Sequence, residues 1–306
     1  MTDPSATLAG TPRLTVLTAT CDRARLLPRL AASLRDQDIA PGCAEWLVVD
    51  DGSTDDTAAC LQDLAAQAGP VPLRSLHVPH GGKHRALNAG FDAARGDWIV
   101  VVDSDDWLRP GALSRALEVL DGEVPEDVFA AIFPLVVPAA ARQFRFTRPN
   151  RAITFVARRN QEPPFDSTLV FRRGVDGLRF ATFEGEDFLA EAALLYDLGR
   201  VGRVWLADDV LVHAEYQPDG LSARIRTRRM ACPVGACHTY QVMLRCALVP
   251  ALRRRALSNF ARFWWHGWRQ GRPVPRPRGL AQGAMLGVGW VFCLIDLAIC
   301  RIRKTP

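Results

Sequence analysis

The sequence predicts an α/β fold: an open, twisted, mixed sheet flanked by helices and followed by a basic, helical C-terminal tail. Two observations carry this. Short β-branched runs alternate with amphipathic helical patterns from residue 13 to about residue 110, as in strands joined by crossover helices. The run Trp98-Ile-Val-Val-Val102 is continuously apolar, as expected of a strand whose two faces are both covered. A chain of 306 residues is long enough to bury one such core and carry an appendage.

Residues 13–20 read as the first strand, and residues 22–36 as a helix with Leu26, Leu27, Leu30 and Leu34 on one stripe. The pair returns as a strand at 45–50 before a helix at 55–67, and as a strand at 73–78 before a helix at about 83–95. Residues 98–102 supply the fourth strand. After Pro110 the texture changes. Residues 127–137, 152–157 and 168–172 read as strands without crossover helices, followed by a helix at about 186–198 and a last strand at 201–212. Open sheets of this kind gather ligands, nucleotides in particular, beyond the carboxyl ends of their strands.

Charge is distributed unevenly. Residues 222–306 hold 16 Arg and Lys against one acid, Asp296, whereas the remainder has 22 bases and 32 acids. A tail this basic points to an anionic partner. Residues 260–268 and 283–300 are apolar and Trp-bearing. The second patch has a single charge and basic flanks, Arg278 before it and Arg301, Arg303 and Lys304 after it. It is marginal for crossing a bilayer and fits a helix lying on an anionic membrane surface, so the partner expected for 251–306 is a membrane and not nucleic acid. The eight cysteines are irregularly spaced, which is no disulfide framework. Residues 1–11 lack the basic and apolar regions of a signal peptide, which predicts a cytoplasmic location.

The sharpest chemical signal is Asp103-Ser104-Asp105-Asp106, at the end of the fourth strand. Spaced carboxylates at a strand end offer hard oxygen ligands to a divalent cation, Mg or Mn, shared with substrate phosphates. Asp50-Asp51-Gly52-Ser53-Thr54-Asp55 closes the second strand in the same way. There Asp51 can accept hydrogen bonds from a base or ribose, and Gly52 lets the backbone turn closely past it. Ser53, Thr54 and Asp55 read as capping residues of the next helix. His80-Gly81-Gly82-Lys83 opens a helix and reads as a phosphate-binding turn, with Lys83, one of only two lysines, near a diphosphate.

Taken together, Thr15-Val-Leu-Thr-Ala-Thr-Cys-Asp-Arg23, Leu47-Val-Val-Asp-Asp-Gly-Ser-Thr-Asp55, Gly81-Gly-Lys-His-Arg-Ala-Leu-Asn88, Gly96-Asp-Trp-Ile-Val-Val-Val-Asp-Ser-Asp-Asp106 and Gly185-Glu186-Asp187 resemble the family 2 glycosyltransferases of GT-A fold. The resemblance covers about residues 13–222. It implies an inverting, nucleotide-sugar-dependent transferase. Thr20, Arg23, Asp51, Gly52, Lys83, Asn88, Asp103 and Ser104 would bind the donor, and Asp105 with Asp103 the metal. Asp187, with Glu186 second, would take the acceptor proton. His213 is a further candidate metal ligand, and residues 215–222 resemble the loop that closes over the donor. Residues 1–221 would then be the catalytic domain, with a nucleotide-sugar half at 13–110 and an acceptor half at 111–221, and 222–306 a membrane-associating tail.

Two features depart from that pattern. Ala19-Thr20-Cys21-Asp22 replaces the usual Pro-Thr-Tyr-Asn, so an aromatic to stack on the base is missing there. The Q-x-x-R-W motif of processive synthases is absent, since Gln241 to Arg245 has another spacing. The expected activity is therefore non-processive transfer from a UDP-sugar to a lipid-linked or polysaccharide acceptor in the cell envelope, peripheral to the inner face of the plasma membrane. A nucleotidyltransferase, or a donor-binding membrane scaffold without turnover, remains an alternative.

Overall fold

A computed structural model describes residues 11–140, 142–162, 165–218 and 220–302. The chain forms two compact units, the first comprising Met1–Ile153, Pro163–Leu178 and Gly202–Gln217, the second Thr154–Glu162, Arg179–Val201 and Pro218–Pro306. The sequence places one boundary at residue 221. The units instead draw two earlier segments in with the C-terminal helices.

The first unit opens with β1 (Leu14–Thr20), α1 (Leu27–Arg35), β2 (Ala44–Asp51), α2 (Thr57–Ala65), β3 (Leu73–Val78), α3 (Lys83–Ala93) and β4 (Trp98–Val101). There follow β5 (Trp107–Leu108), α4 (Ala112–Gly122), β6 (Val128–Pro134), β7 (Val136–Val137), β8 (Arg142–Gln143), β9 (Arg151–Ile153), β10 (Ser167–Arg172), β11 (Arg203–Leu206) and β12 (Val212–His213). The main sheet runs β3-β2-β1-β4-β10-β6-β11-β9 and a small one runs β5-β12-β7-β8. Strands β1 to β4 are mutually parallel where they pair, whereas β10 is antiparallel to both β4 and β6, so the sheet is mixed as expected.

Local chemistry explains the nucleotide half. Leu27, Leu30, Ala31 and Leu34 form the buried stripe of α1, which starts at a proline compatible with the first helical turn. At the amino ends of the strands, Glu45 is buried and accepts from Thr15 Oγ1 at 2.8 Å, Arg95 N at 2.9 Å and Arg74 Nη2 at 3.1 Å. Gly96 lies so close to β1 that a Cβ would meet Thr15 N at 2.4 Å. Only glycine fits there.

The second unit is helical among its described residues: α5 (Phe155–Gln161), α6 (Ala192–Leu198), α7 (Leu221–Ala231), α8 (Pro233–Leu244), α9 (Pro250–Arg269) and α10 (Gly279–Ile302). Helix α8 is buried along most of its length and packs on α6 and α9. Phe155 meets Tyr196 edge-on at 5.0 Å, which ties α5 to α6.

Several expected elements are corrected. The strand read at 152–157 ends at Ile153, because Thr154 accepts a hydrogen bond from Ala157 N and caps α5. The single strand read at 127–137 divides between the two sheets, as does that read at 201–212. The helix read from 186 begins only at Ala192. Helix α4 was not anticipated. Arg303 and Lys304, and residues 1–10 of the segment read for a leader, lie outside the described residues.

Candidate functional site

Because β1, β2 and β4 are parallel neighbours, their carboxyl ends lie along one edge of the first unit. Thr20 ends β1, Asp51 ends β2, and the turn carrying Asp103 to Asp106 follows β4. These are the groups the sequence singles out.

Asp51 is buried, and its Oδ1 and Oδ2 accept from Gly81 N and Gly82 N, each at 2.8 Å. The expected phosphate-binding turn is thus corrected: two of its N–H groups serve the Asp51 carboxylate. His80 Nδ1 also lies 3.0 Å from Asp51 Oδ2. Oδ1, engaged by Gly81 N alone, retains a second lone pair for a ligand N–H or O–H. Gly52 has φ +69° and its Cβ would stand 2.7 Å from His80 N, so the β2 turn and the 80–82 turn fit only with glycine here. Asp22, itself at φ +52°, accepts from Thr54 N at 2.7 Å and Asp55 N at 3.2 Å, clasping the turns after β1 and β2. Asp55 in turn accepts from Thr57 N at the start of α2, but the N-cap residue is Asp56 and makes no side-chain capping bond. The hydroxyls of Ser53 and Thr54, expected to cap this helix, donate to Asp50 and Asp22 instead.

Lys83, at the start of α3, places Nζ 2.7 Å from Asp103 Oδ1. Carboxylate oxygens of Asp103, Asp105 and Asp106 lie within 4.8 Å of one another. Burial, then the Asp103 charge, raises the pKa of Asp105, with Lys83 and Arg23 opposing. Asp106 is pushed up to about 8 by burial and by both neighbouring aspartates. Three converging, mutually repelling carboxylates are a donor set that suits a hard divalent cation. Ser104 is buried within this turn, Asn88 is buried in α3, and the buried Thr20 hydroxyl has no hydrogen-bond partner among the described residues.

His213 does not belong to that carboxylate group. Its ring stacks on Trp107 at 5.4 Å, and burial followed by the Arg109 charge lowers its pKa. Asp106 takes the third place. Sequence reasoning also passed over Arg29, which donates to the Asp105 carbonyl at 2.5 Å, pairs with Glu215 Oε2 at 2.5 Å and covers the Trp107 ring at 4.0 Å. It fixes the backbone of the acidic turn and the first residue of the expected closing loop. No local pattern marks an arginine on α1 for that role. Residue 219 of that loop lies outside the described residues.

In the second unit the two expected acceptor-side acids differ. Glu186 is buried and accepts from Val234 N at 2.8 Å and Gly235 N at 2.7 Å, so it caps the N-terminus of α8. Burial raises its pKa and those two N–H groups oppose the rise. Asp187 is partly exposed, pairs with Arg228 at 2.8 Å and accepts from the Cys232 thiol at 3.2 Å. Burial pushes its pKa up, but Cys232 and Arg228 outweigh that and hold it below the usual carboxylate range.

Residues 15–169 match the model of glycosyl transferase family 2. The chain belongs to this family. It is 31% identical over 116 residues to the undecaprenyl-phosphate 4-deoxy-4-formamido-L-arabinose transferase of Pseudomonas fluorescens, covering 38% of this chain and 32% of that protein. It spans about a third of the length of the curated relatives it matches. Among solved structures it is similar to S. aureus TarS in complex with UDP-GlcNAc (TM-score 0.60, 16% identity, 84% of this chain and 73% of that one). It also resembles the mannosyltransferase PcManGT of Pyrobaculum calidifontis in complex with GDP-Man and Mn2+ (TM-score 0.57, 20% identity, 93% and 81%). At these identities the structures establish the GT-A fold of this family 2 chain.

Proposed function

We propose that this chain moves one sugar, non-processively and with inversion, from a nucleotide sugar, a UDP-sugar first, to a lipid-linked or polysaccharide acceptor in cell-envelope glycan synthesis. The observation that carries the reading is the convergence of Asp103, Asp105 and Asp106 with Lys83 at the edge where Thr20 and Asp51 also end. The family supplies the reaction class. The undecaprenyl-phosphate transferase among the relatives supports a lipid-linked acceptor, and with it work at a membrane face.

In this reading Asp51 accepts from the base or ribose, with Gly52, Thr20, Arg23 and Asn88 around the nucleotide. Lys83 exchanges part of its contact with Asp103 for the donor diphosphate. Asp105, with Asp103 and Asp106, holds Mn or Mg, which when bound neutralises charge on the departing diphosphate. Asp187, held below the usual carboxylate range by Cys232 and Arg228, accepts the acceptor hydroxyl proton as that oxygen bonds to the anomeric carbon and the bond to the nucleotide diphosphate breaks. Glu186, engaged by α8, supports the loop that carries Asp187.

Incubation with a panel of UDP-sugars and Mn2+ tests the reading. Free UDP, formed faster when acceptor lipid is added and lost in Asp105→Ala, is the expected result. Pyrophosphate released from a nucleoside triphosphate in place of UDP would overturn it in favour of nucleotidyl transfer.

A further inference from the structure

Helix α10 is apolar on the wrong side for a helix in water. The stripe it turns inward carries Gln282, Gly289, Cys293 and Asp296, all buried, whereas Val288, Trp290, Val291, Phe292, Leu294 and Ile295 are 38–50% exposed. The seam is made of small and polar groups. A Cβ on Gly289 would stand 2.3 Å from the Ala261 carbonyl carbon, so the α9 and α10 backbones touch there. Asp296, with no exposed side-chain surface, takes two bonds from Arg262, lies 3.0 Å from His266 Nε2 and is 3.6 Å from Arg226 Nε on α7.

A helix on a water-facing surface puts its large apolar side chains inward and its polar ones outward. In lipid the pattern reverses, because apolar contact is no better in the seam than outside it. Small residues and hydrogen-bonded polar groups then hold helices together. The stretch Gly279–Ile299 of this helix has a mean hydropathy of 1.7. The buried Asp296 cluster also fixes the rotation of α10, so the outward arc is set by charge pairing rather than by a greasy core.

We propose that α10 lies flat in the headgroup and acyl boundary of an anionic phospholipid bilayer, with the Val291, Phe292 and Ile295 face immersed. The flat orientation follows from charge, since Arg278 precedes the helix, Arg301 lies in its last turn and Arg303 and Lys304 come after it in the sequence, giving both ends an affinity for one anionic leaflet. The proposal rests on the reading that the chain works at a membrane face, and it names the element and the geometry.

The test is co-sedimentation of the full chain with phosphatidylcholine vesicles containing phosphatidylglycerol, beside the variant Val291→Gln/Phe292→Gln/Ile295→Gln. The three positions are exposed, so an unchanged thermal midpoint is the control for folding. Vesicle binding at least about tenfold weaker in the variant is the expected result. Equal binding by the variant overturns the α10 proposal and leaves a purely electrostatic membrane attachment standing. No binding by the unmodified chain overturns the membrane-face reading as well. A dimer that the variant dissociates, measured by light scattering without lipid, assigns the face to a second copy instead. With protein added from outside, a C-terminal tag that stays open to protease supports the flat helix, and a protected tag overturns it in favour of spanning.

Discussion

Lys83 Nζ lies 2.7 Å from Asp103 Oδ1, joining the first residue of α3 to the acidic turn that follows β4. The ammonium thus already stands beside the carboxylates where a donor diphosphate is proposed to sit. Lys83→Met removes a charge-assisted contact worth about 1.5–3 kcal/mol, so UDP should bind roughly 10- to 100-fold more weakly by titration calorimetry. Undiminished affinity would place the diphosphate elsewhere.

Asp105 and Asp106 are held near Asp103 without a counter-charge strong enough to offset their burial. Mn2+ should therefore raise the thermal midpoint of the protein, and Asp105→Asn and Asp106→Asn should each reduce that rise. His213→Ala should keep it, because the His213 ring is stacked on Trp107 outside the carboxylate group. Scanning fluorimetry with and without Mn2+ separates the two outcomes.

Glu186 and Asp187 are adjacent in sequence and opposite in consequence. Glu186→Gln removes negative charge from the N-terminus of α8, and the expected loss is stability, about 1–2 kcal/mol, with turnover per folded molecule retained. Asp187→Asn should instead lower kcat by about 10²- to 10⁴-fold, a loss of turnover per folded molecule that the modest fall in midpoint from losing its Cys232 and Arg228 contacts does not explain. Paired unfolding curves and initial rates make the comparison, and the reverse pattern would assign the proton to Glu186.

Gly96→Ala should destabilise the first unit by about 1–3 kcal/mol, since its Cβ would meet the backbone of Leu14 and Thr15, which cannot yield as a side-chain end can. Denaturant titration should show a lower midpoint at an unchanged slope.

Burial pushes the Asp296 carboxyl up, but His266 and Arg262 outweigh it and hold the group at about 2. The folded value lies below the unfolded one of about 3.9, so this contribution is full above about pH 4 and is lost as pH falls through about 2. Asp296→Asn should lower the unfolding midpoint at pH 7 and flatten its decline between pH 4 and 2. An unchanged acid profile would show that Arg226, Arg262 and His266 do not act on Asp296.

The nucleotide half was legible because its signals are local: β-branched runs, a leucine stripe on α1, and acids at strand ends. Helix α4 had a readable pattern too, in Leu113, Ala116, Val119 and Leu120, but it follows Pro110 and Gly111, which read as the start of irregular chain. What failed beyond it was non-local. The 201–212 segment serves two sheets, and the partners of β6 and β11 are distant in sequence. Glu186 looked like a reactive acid because nothing nearby announces that it caps a helix 47 residues on. Arg29 likewise acquires its role only when α1 meets the turn after β4.

Strand β10 borders β4, the strand that leads into the carboxylate turn, through the pairs Leu169 with Val101, Val170 with Val100, Phe171 with Ile99 and Arg172 with Trp98. A shortened chain cut at residue 169, where the family match ends, would keep every donor-side residue yet strip β4 of three of those four partners. It would present an open, wholly apolar strand margin to its neighbours in solution and clump by edge-to-edge pairing. The smallest soluble donor-binding piece therefore has to extend past Arg172, and its refolding should be paced by the arrival of β10 from far along the chain.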